Sequence, residues 1–127
     1  MATSVTPEQF LAGTESGVAT FRWVCDVLTN AGLDFTVSTS KSQVAFRRQR
    51  GFAYLWMPGQ YLRHADAEVV LSLGLENRIP SSRFKEVARA TPTMWMHHLE
   101  IHSLDDLDDE VARWLKRAAE AAGPPTR

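Results

Sequence analysis

The sequence predicts a single α+β domain: a mainly antiparallel, meandering sheet of about five strands, with N- and C-terminal helices packed on one of its faces. Three observations predict it. The apolar residues recur at helical spacing up to Gly32, with a period of two from Phe35 to His102, and at helical spacing again after Ser103. Within the period-two region, Gly and Pro punctuate the runs as strand turns require. And 127 residues make one domain, able to bury roughly two-thirds of its unfolded surface without staples. The expected unit spans residues 1–127, with an ordered core over about 6–122 and a flexible tail over 123–127, where Gly123-Pro124-Pro125 ends order.

Thr6-Pro7-Glu8-Gln9 carries an N-cap residue, proline at the first helical position and glutamine where a capping box needs it, so a short helix starts there and stops near Gly13. A longer helix reads over about 16–31, with Val18, Phe21, Val24, Cys25 and Leu28 on one stripe and Gly32 as its stop. Residues 35–39 and 42–48 alternate as strands, and Arg48-Gln49-Arg50-Gly51 turns the chain into a third strand over 52–57. A fourth strand over 68–75 turns Val69, Leu71, Leu73 and Leu75 to one side, while Val70, Ser72 and Gly74 shrink along the other. Residues 77–92 read as a connector with one helical turn within 82–87, and 94–102 as the fifth strand. Ser103 then caps a helix whose first turns hold Asp105, Asp106, Asp108, Asp109 and Glu110, favourable at a helix's positive end. Its buried stripe is Leu104, Leu107, Val111, Trp114, Leu115 and Ala118.

Composition narrows the function classes. At 44% hydrophobic and 23% charged residues the chain is ordinarily globular. One cysteine, Cys25, excludes an internal disulfide and a cysteine-rich zinc site; mid-helix on an apolar stripe, it reads as an inert core thiol. No run resembles a signal peptide or reaches the ~18 apolar residues of a membrane span, so a cytoplasmic protein without a membrane partner is expected. The net charge of −1 conceals a basic middle: nine bases against four acids between Lys41 and Arg89, a balance of +5, between ends that together carry −6. Such a middle attracts an anionic ligand, or is neutralised by the acidic helix packed near it.

The hairpin 45–63 carries the sharpest signal. A strand over 52–57 puts Phe52, Tyr54 and Trp56 on one face and Ala53, Leu55 and Met57 on the other, yet the helices cover only one. The aromatic face then needs a ligand, a second copy of the chain, or a lid such as the connector around Phe84; otherwise the strand is central and buried on both sides. Arg47, Arg48 and Arg50 would rim a groove there. On the fifth strand, His98, Glu100 and His102 point one way at ~6–7 Å intervals, a pattern that could hold zinc or iron or could be a solvated face. His97 shares the core phase with Leu99 and Ile101, either as a neutral histidine bonded to backbone or Tyr54, or as a general base in a pocket. Arginines interleaved with Phe46, Phe52, Tyr54 and Trp56 also suit single-stranded nucleic acid, against which stand only three clustered arginines and a pI near 6.4. Gly51, Gly59 and Gly74 are isolated and form no phosphate-cradling loop.

In the stretches SKSQVAFRRQRGFAYLW, VVLSLGL, SRFKEV and MWMHHLEIHSLDDLDDEVARWL the chain resembles a family of small bacterial α+β domains of unknown function, loosely labelled transport-associated. The likeness runs from about Val18 to Ala119. It implies a helix, a Lys-x-x-x-Ala-Phe/Tyr-Arg/Lys hairpin, further strands and an Asp-rich capped helix. Lys41, Phe46, Arg47, Phe52, Trp95, His97 and His98 build that pattern here, and the resemblance implies no catalytic residue. The reading that unites these features is a non-enzymatic binding or accessory domain without a cofactor. Its groove, between the 52–57 face, the Arg47–Arg48–Arg50 turn and the 77–92 connector, would be aromatic-walled and arginine-rimmed, take a small planar or anionic ligand, and use Lys41, Arg47, Arg48, Arg50, Tyr54, Trp56 and His97. A homodimer through the open sheet face is the partner arrangement the same face would allow. A small metal-dependent hydrolase or isomerase using His98, Glu100 and His102 is the alternative, and a nucleic-acid module using the Arg47–Arg50 hairpin a second.

Overall fold

A computed structural model describes residues 5–60 and 67–124. Arg63, counted in the basic middle, and the end of the expected tail, 125–127, lie outside the described residues. The architecture is α+β. Helices α1 (Pro7–Phe10) and α2 (Glu15–Asn30) precede strands β1 (Thr36–Thr39), β2 (Val44–Arg47), β3 (Gly51–Trp56), β4 (Val69–Leu75), β5 (Glu86–Thr91) and β6 (Met94–Ile101), and α3 (Asp109–Ala121) follows. The six strands form one sheet in the order β1-β2-β3-β4-β6-β5, every pair antiparallel. No helix of the described residues is long and apolar enough to cross a membrane.

Local chemistry accounts for the helix ends. Thr6 and Gln9 form the expected reciprocal capping box on α1. At the other end of the chain the expected single helix is two elements. Ser103 caps only a 3-10 turn, Leu104–Asp106, and α3 begins after a second cap, the Asp108 carboxylate accepting from Val111 N–H at 3.1 Å. Two caps five residues apart compete, and the chain satisfies both by breaking at Leu107. Leu104 therefore leaves the buried stripe and stands 55% exposed, while Val111, Trp114, Leu115, Ala118 and Ala119 face the core.

The core lies between one sheet face and the pair α2–α3. Rows of register-matched residues run across it: Val44, Leu55, Leu71 and Leu99, then Phe46, Ala53, Leu73 and His97. Phe52 departs from the expected alternation. The β2–β3 register steps from Phe46 opposite Ala53 to Arg47 opposite Gly51, so Phe52 is the extra residue of a bulge and belongs to the core cluster at 1% exposure. The aromatic face of β3 thus consists of Tyr54 and Trp56.

The expected connector over 77–92 is half strand. Its first part carries no helix: Phe84 packs between His97 and Trp114 at ring separations of 4.9 and 4.6 Å, on the helix side of the sheet. Phe84 therefore seals the core and is no lid for the aromatic face. Arg83 fixes this crossing to the start of α3. It bonds both Asp108 carboxylate oxygens and Glu110, donates to the Asp106 carbonyl, and stacks over Trp114. Residues 86–91 form the exposed edge strand β5, whose polar, largely exposed sequence lacks the alternation that announces a half-buried strand.

Arg48 has a structural task of the same kind. Its guanidinium donates to the Gly123 carbonyl at 3.0 Å and the Asp34 carbonyl at 2.5 Å, tying the β2–β3 turn to the negative end of α3 and to the α2–β1 loop. Gln49 N–H joins it on Gly123. In urea unfolding, Arg48→Ala should lose about 1–2 kcal/mol, whereas Arg50→Ala, in the same turn but exposed, should stay within about 0.5 kcal/mol of wild type.

Candidate functional site

The face opposite the helices carries the second set of alternating residues. Across it run Ala45, Tyr54, Ser72, His98 and Glu86 in one register row, with Trp56, Val70 and Glu100 in the next. Trp56 reaches diagonally between rows. Its indole Nε1–H donates to Ser72 Oγ at 2.8 Å, and Ser72 Oγ lies 2.7 Å from His98 Nδ1. The Trp56 and His98 rings meet edge to face, perpendicular, at 6.0 Å. Ser72, 2% exposed at the bottom of this arrangement, is fully engaged.

A cleft of about 380 Å³ opens above these residues, walled by Tyr54, Trp56, Met96 and His98, floored by Ser72, and bounded by Ser42 and Gln43 of the β1–β2 turn. A second hollow of about 250 Å³ shares Trp56 and His98 and continues towards Lys85, Glu86 and Glu100. Among the described lining residues the first has no carboxylate and the second has two, so the groove is polarised along its length. Beyond Tyr54, a Cβ placed on Gly51 would fall 2.2 Å from the Tyr54 hydroxyl and 3.3 Å from the Arg47 guanidinium. The Tyr54 hydroxyl and the Arg47 guanidinium thus both lie over Gly51, which puts a cation at the Tyr54 end.

The family model described as a domain of unknown function, DUF5655, matches residues 8–121. The chain belongs to this family. No curated protein and no solved structure matches it. DUF5655 extends over most of α1 and the whole of α2, beyond the stretch whose motifs carry the resemblance, and its description assigns neither an activity nor a transport role.

In this DUF5655 domain the residues expected at the site are dispersed over three environments. Tyr54 and Trp56 line the cleft, Arg47 stands at its end, and Lys41 is exposed in the turn beside Ser42. Arg50 is exposed in the β2–β3 turn, and Arg48 is taken up by the two carbonyls. His97 is not a groove residue. It is fully buried under the helices, where Nε2 accepts from Ile79 N–H at 3.0 Å and Nδ1 lies 3.1 Å from the Trp95 carbonyl. Its partners are backbone groups rather than Tyr54, as adjacent strand residues pointing to opposite faces require. The metal-ligand set does not converge either. His98 Nδ1 is occupied by Ser72, and His102, past the end of β6, lies 3.9 Å from Glu100 and 3.8 Å from Asp106. Among the described residues no three His, Cys, Asp or Glu side chains group closely enough to hold a metal ion. Ser42, Gln43, Ser72 and Met96 were not expected at the site. Ser72 did have a sequence signal: it is the one hydroxyl in an otherwise apolar strand.

Burial holds both His97 and His98 below the ordinary imidazole range; Trp95 and Leu73 carbonyls oppose the effect at His97, and Glu86 opposes it at His98. Cys25 is pushed up to about 11 by burial and by Asp26 and Glu8, which leaves it an unreactive thiol. Because the two imidazoles bind protons less readily folded than unfolded, their contribution is complete above the unfolded value of about 6.5 and is lost as pH falls from there through the folded values. Unfolding free energy should therefore decline below about pH 6.5, well before Asp108, held low by Arg83, begins to protonate. Urea titrations at a series of pH values check this, and the decline should be shallower in His97→Phe.

The two tryptophans separate core from site. Trp114 is 7% exposed against Phe84, whereas Trp56 is half-buried with the cleft on its flank. Trp114→Ala should cost about 3–5 kcal/mol. Trp56→Ala should cost clearly less, below about 2 kcal/mol, and parallel urea unfolding curves read the difference.

Proposed function

We propose that this domain binds a small planar ligand in the cleft on its open sheet face, with the ring against Tyr54 and Trp56 and any anionic substituent directed to Arg47 and Lys41. The observation that carries the reading is the Trp56–Ser72–His98 chain. It holds two ring side chains upright at the wall of a cleft, using a buried hydroxyl in the middle of a strand whose neighbours are apolar. A strand that only needed covering would do better with an aliphatic residue there, since a buried hydroxyl adds desolvation cost and only a partnered one recovers it. Two locked rings over a polar floor suit recognition: the volume of about 380 Å³ falls within the range of small-molecule sites, and apolar walls with few fixed polar groups are their usual composition. The reading keeps the expected planar or anionic ligand and relocates the groove: Arg48, His97 and most of the connector are outside it.

Titration with naphthoate, a planar aromatic anion, tests this by amide and indole chemical shifts. Shifts should concentrate at Tyr54, Trp56, Ser72 and His98, and Trp56→Ala should abolish them. Arg47→Ala should weaken binding about two- to fivefold, the scale of an exposed charge pair. Shifts scattered over the helices, or a face silent to naphthoate because a second copy of the chain covers it, would overturn the proposal.

A further inference from the structure

Resting on that reading and carrying it further, we propose that His98 presents a fixed Nε2–H donor to the cleft and that the ligand it selects is a planar heteroaromatic lactam, the chemistry of oxo-purine and oxo-pyrimidine rings. The direction of the hydrogen-bond chain follows from its protons. An indole N–H can only donate, so Ser72 Oγ accepts from Trp56. The Ser72 hydroxyl has one hydrogen, it is 2% exposed, and among the described residues its remaining partner is His98 Nδ1. If Nδ1 carried the proton, Ser72 Oγ would accept twice and its own hydrogen would be buried without an acceptor, a costly arrangement. The hydroxyl therefore donates to Nδ1, and the proton of the neutral ring sits on Nε2. That N–H has no hydrogen-bond partner among the described residues, and His98 lines both hollows of the groove.

The acceptor it meets is uncharged. Glu86 lies directly across from His98 on β5, and Glu100 lies on the same face two residues along β6. A carboxylate or phosphate placed at Nε2 would face both, with Lys85 as the one cation among the described residues lining that hollow. A ring carbonyl has no such conflict. Gln43 and Ser42 line the same cleft and offer acceptors for the lactam N–H, while the Arg47 end remains for an anionic substituent. A planar ring with a carbonyl and N–H on one edge satisfies all of these groups together.

Two measurements test the inference. Long-range proton–nitrogen correlations at neutral pH should show His98 in the Nε2–H tautomer in the wild-type protein, and Ser72→Ala should move it towards a mixture; a wild-type Nδ1–H ring would overturn the inference without any variant. Titration with oxindole and indole, alike in size but differing in the carbonyl, should give about tenfold tighter binding of oxindole, the worth of one good hydrogen bond. His98→Phe should abolish that preference, with oxindole falling to the affinity of indole. Equal affinity for the two probes in the wild type would refute the lactam inference and leave the cleft standing. Failure of oxindole, indole and naphthoate alike to perturb the face would refute both.

Discussion

Strand β4 is buried along its whole length, and its two sides are buried by different means. Val69, Leu71, Leu73 and Leu75 are covered by apolar contacts beneath the helices. On the other side Val70 and Ser72 are covered by the side chains of the neighbouring strands, Trp56 and Tyr54 from β3, His98 and Glu100 from β6. Much of the molecule follows from that asymmetry. A strand with period two must assign adjacent residues to opposite sides, so His97 and His98 enter different environments though they are neighbours in sequence. One becomes a packed core group bonded to backbone; the other becomes a wall of the cleft. On the same side Gly74 leaves room for the Met94 side chain of the next strand, whose sulfur lies 2.6 Å from where a Cβ would stand.

The helix side is held together by charge as well as packing. The chain must cross from the end of β4 to the edge strand β5 over β6, and Arg83 with Phe84 pins that crossing to α3. Phe84 fills the space between His97 and Trp114, while Arg83 joins the carboxylates that crowd the start of the helix. At the opposite end Arg48 meets the carbonyls where α3 finishes. The basic middle and acidic end of the sequence thus neutralise each other in part within the fold, and among the described residues the cations left at the groove are Arg47, Lys41 and, at the far end, Lys85. Under the proposed reading that distribution suits a small ligand with one anionic group better than an extended polyanion.

The sequence announces elements whose cause is local. The Thr6–Gln9 box, the α2 stripe, the strand alternation and the core phase of His97 all depend on spacing within a few residues. What it hides depends on partners far along the chain. The bulge that turns Phe52 inward is set by the β2–β3 register, and the engagement of Arg48 by a carbonyl 75 residues away. The edge strand β5 escapes notice because an exposed edge needs no apolar side. Ser72 is the instructive case: its place in an apolar run is visible, but only the diagonal reach of Trp56 and the cross-strand position of His98 show what the hydroxyl is for.

The central claim is that the Tyr54–Trp56–His98 face is open and preorganised while His97, one residue away, is sealed. Relaxation of side-chain protons by a neutral gadolinium chelate in solution tests that most directly, since the effect depends on distance from solvent. The account predicts strong enhancement at Tyr54, Trp56 and Met96, intermediate enhancement at His98, and little at His97, Leu73 and Trp114. Protection of Trp56 to the level of Trp114, at protein concentrations where the chain is monomeric, would mean that the face is closed core and would contradict the account.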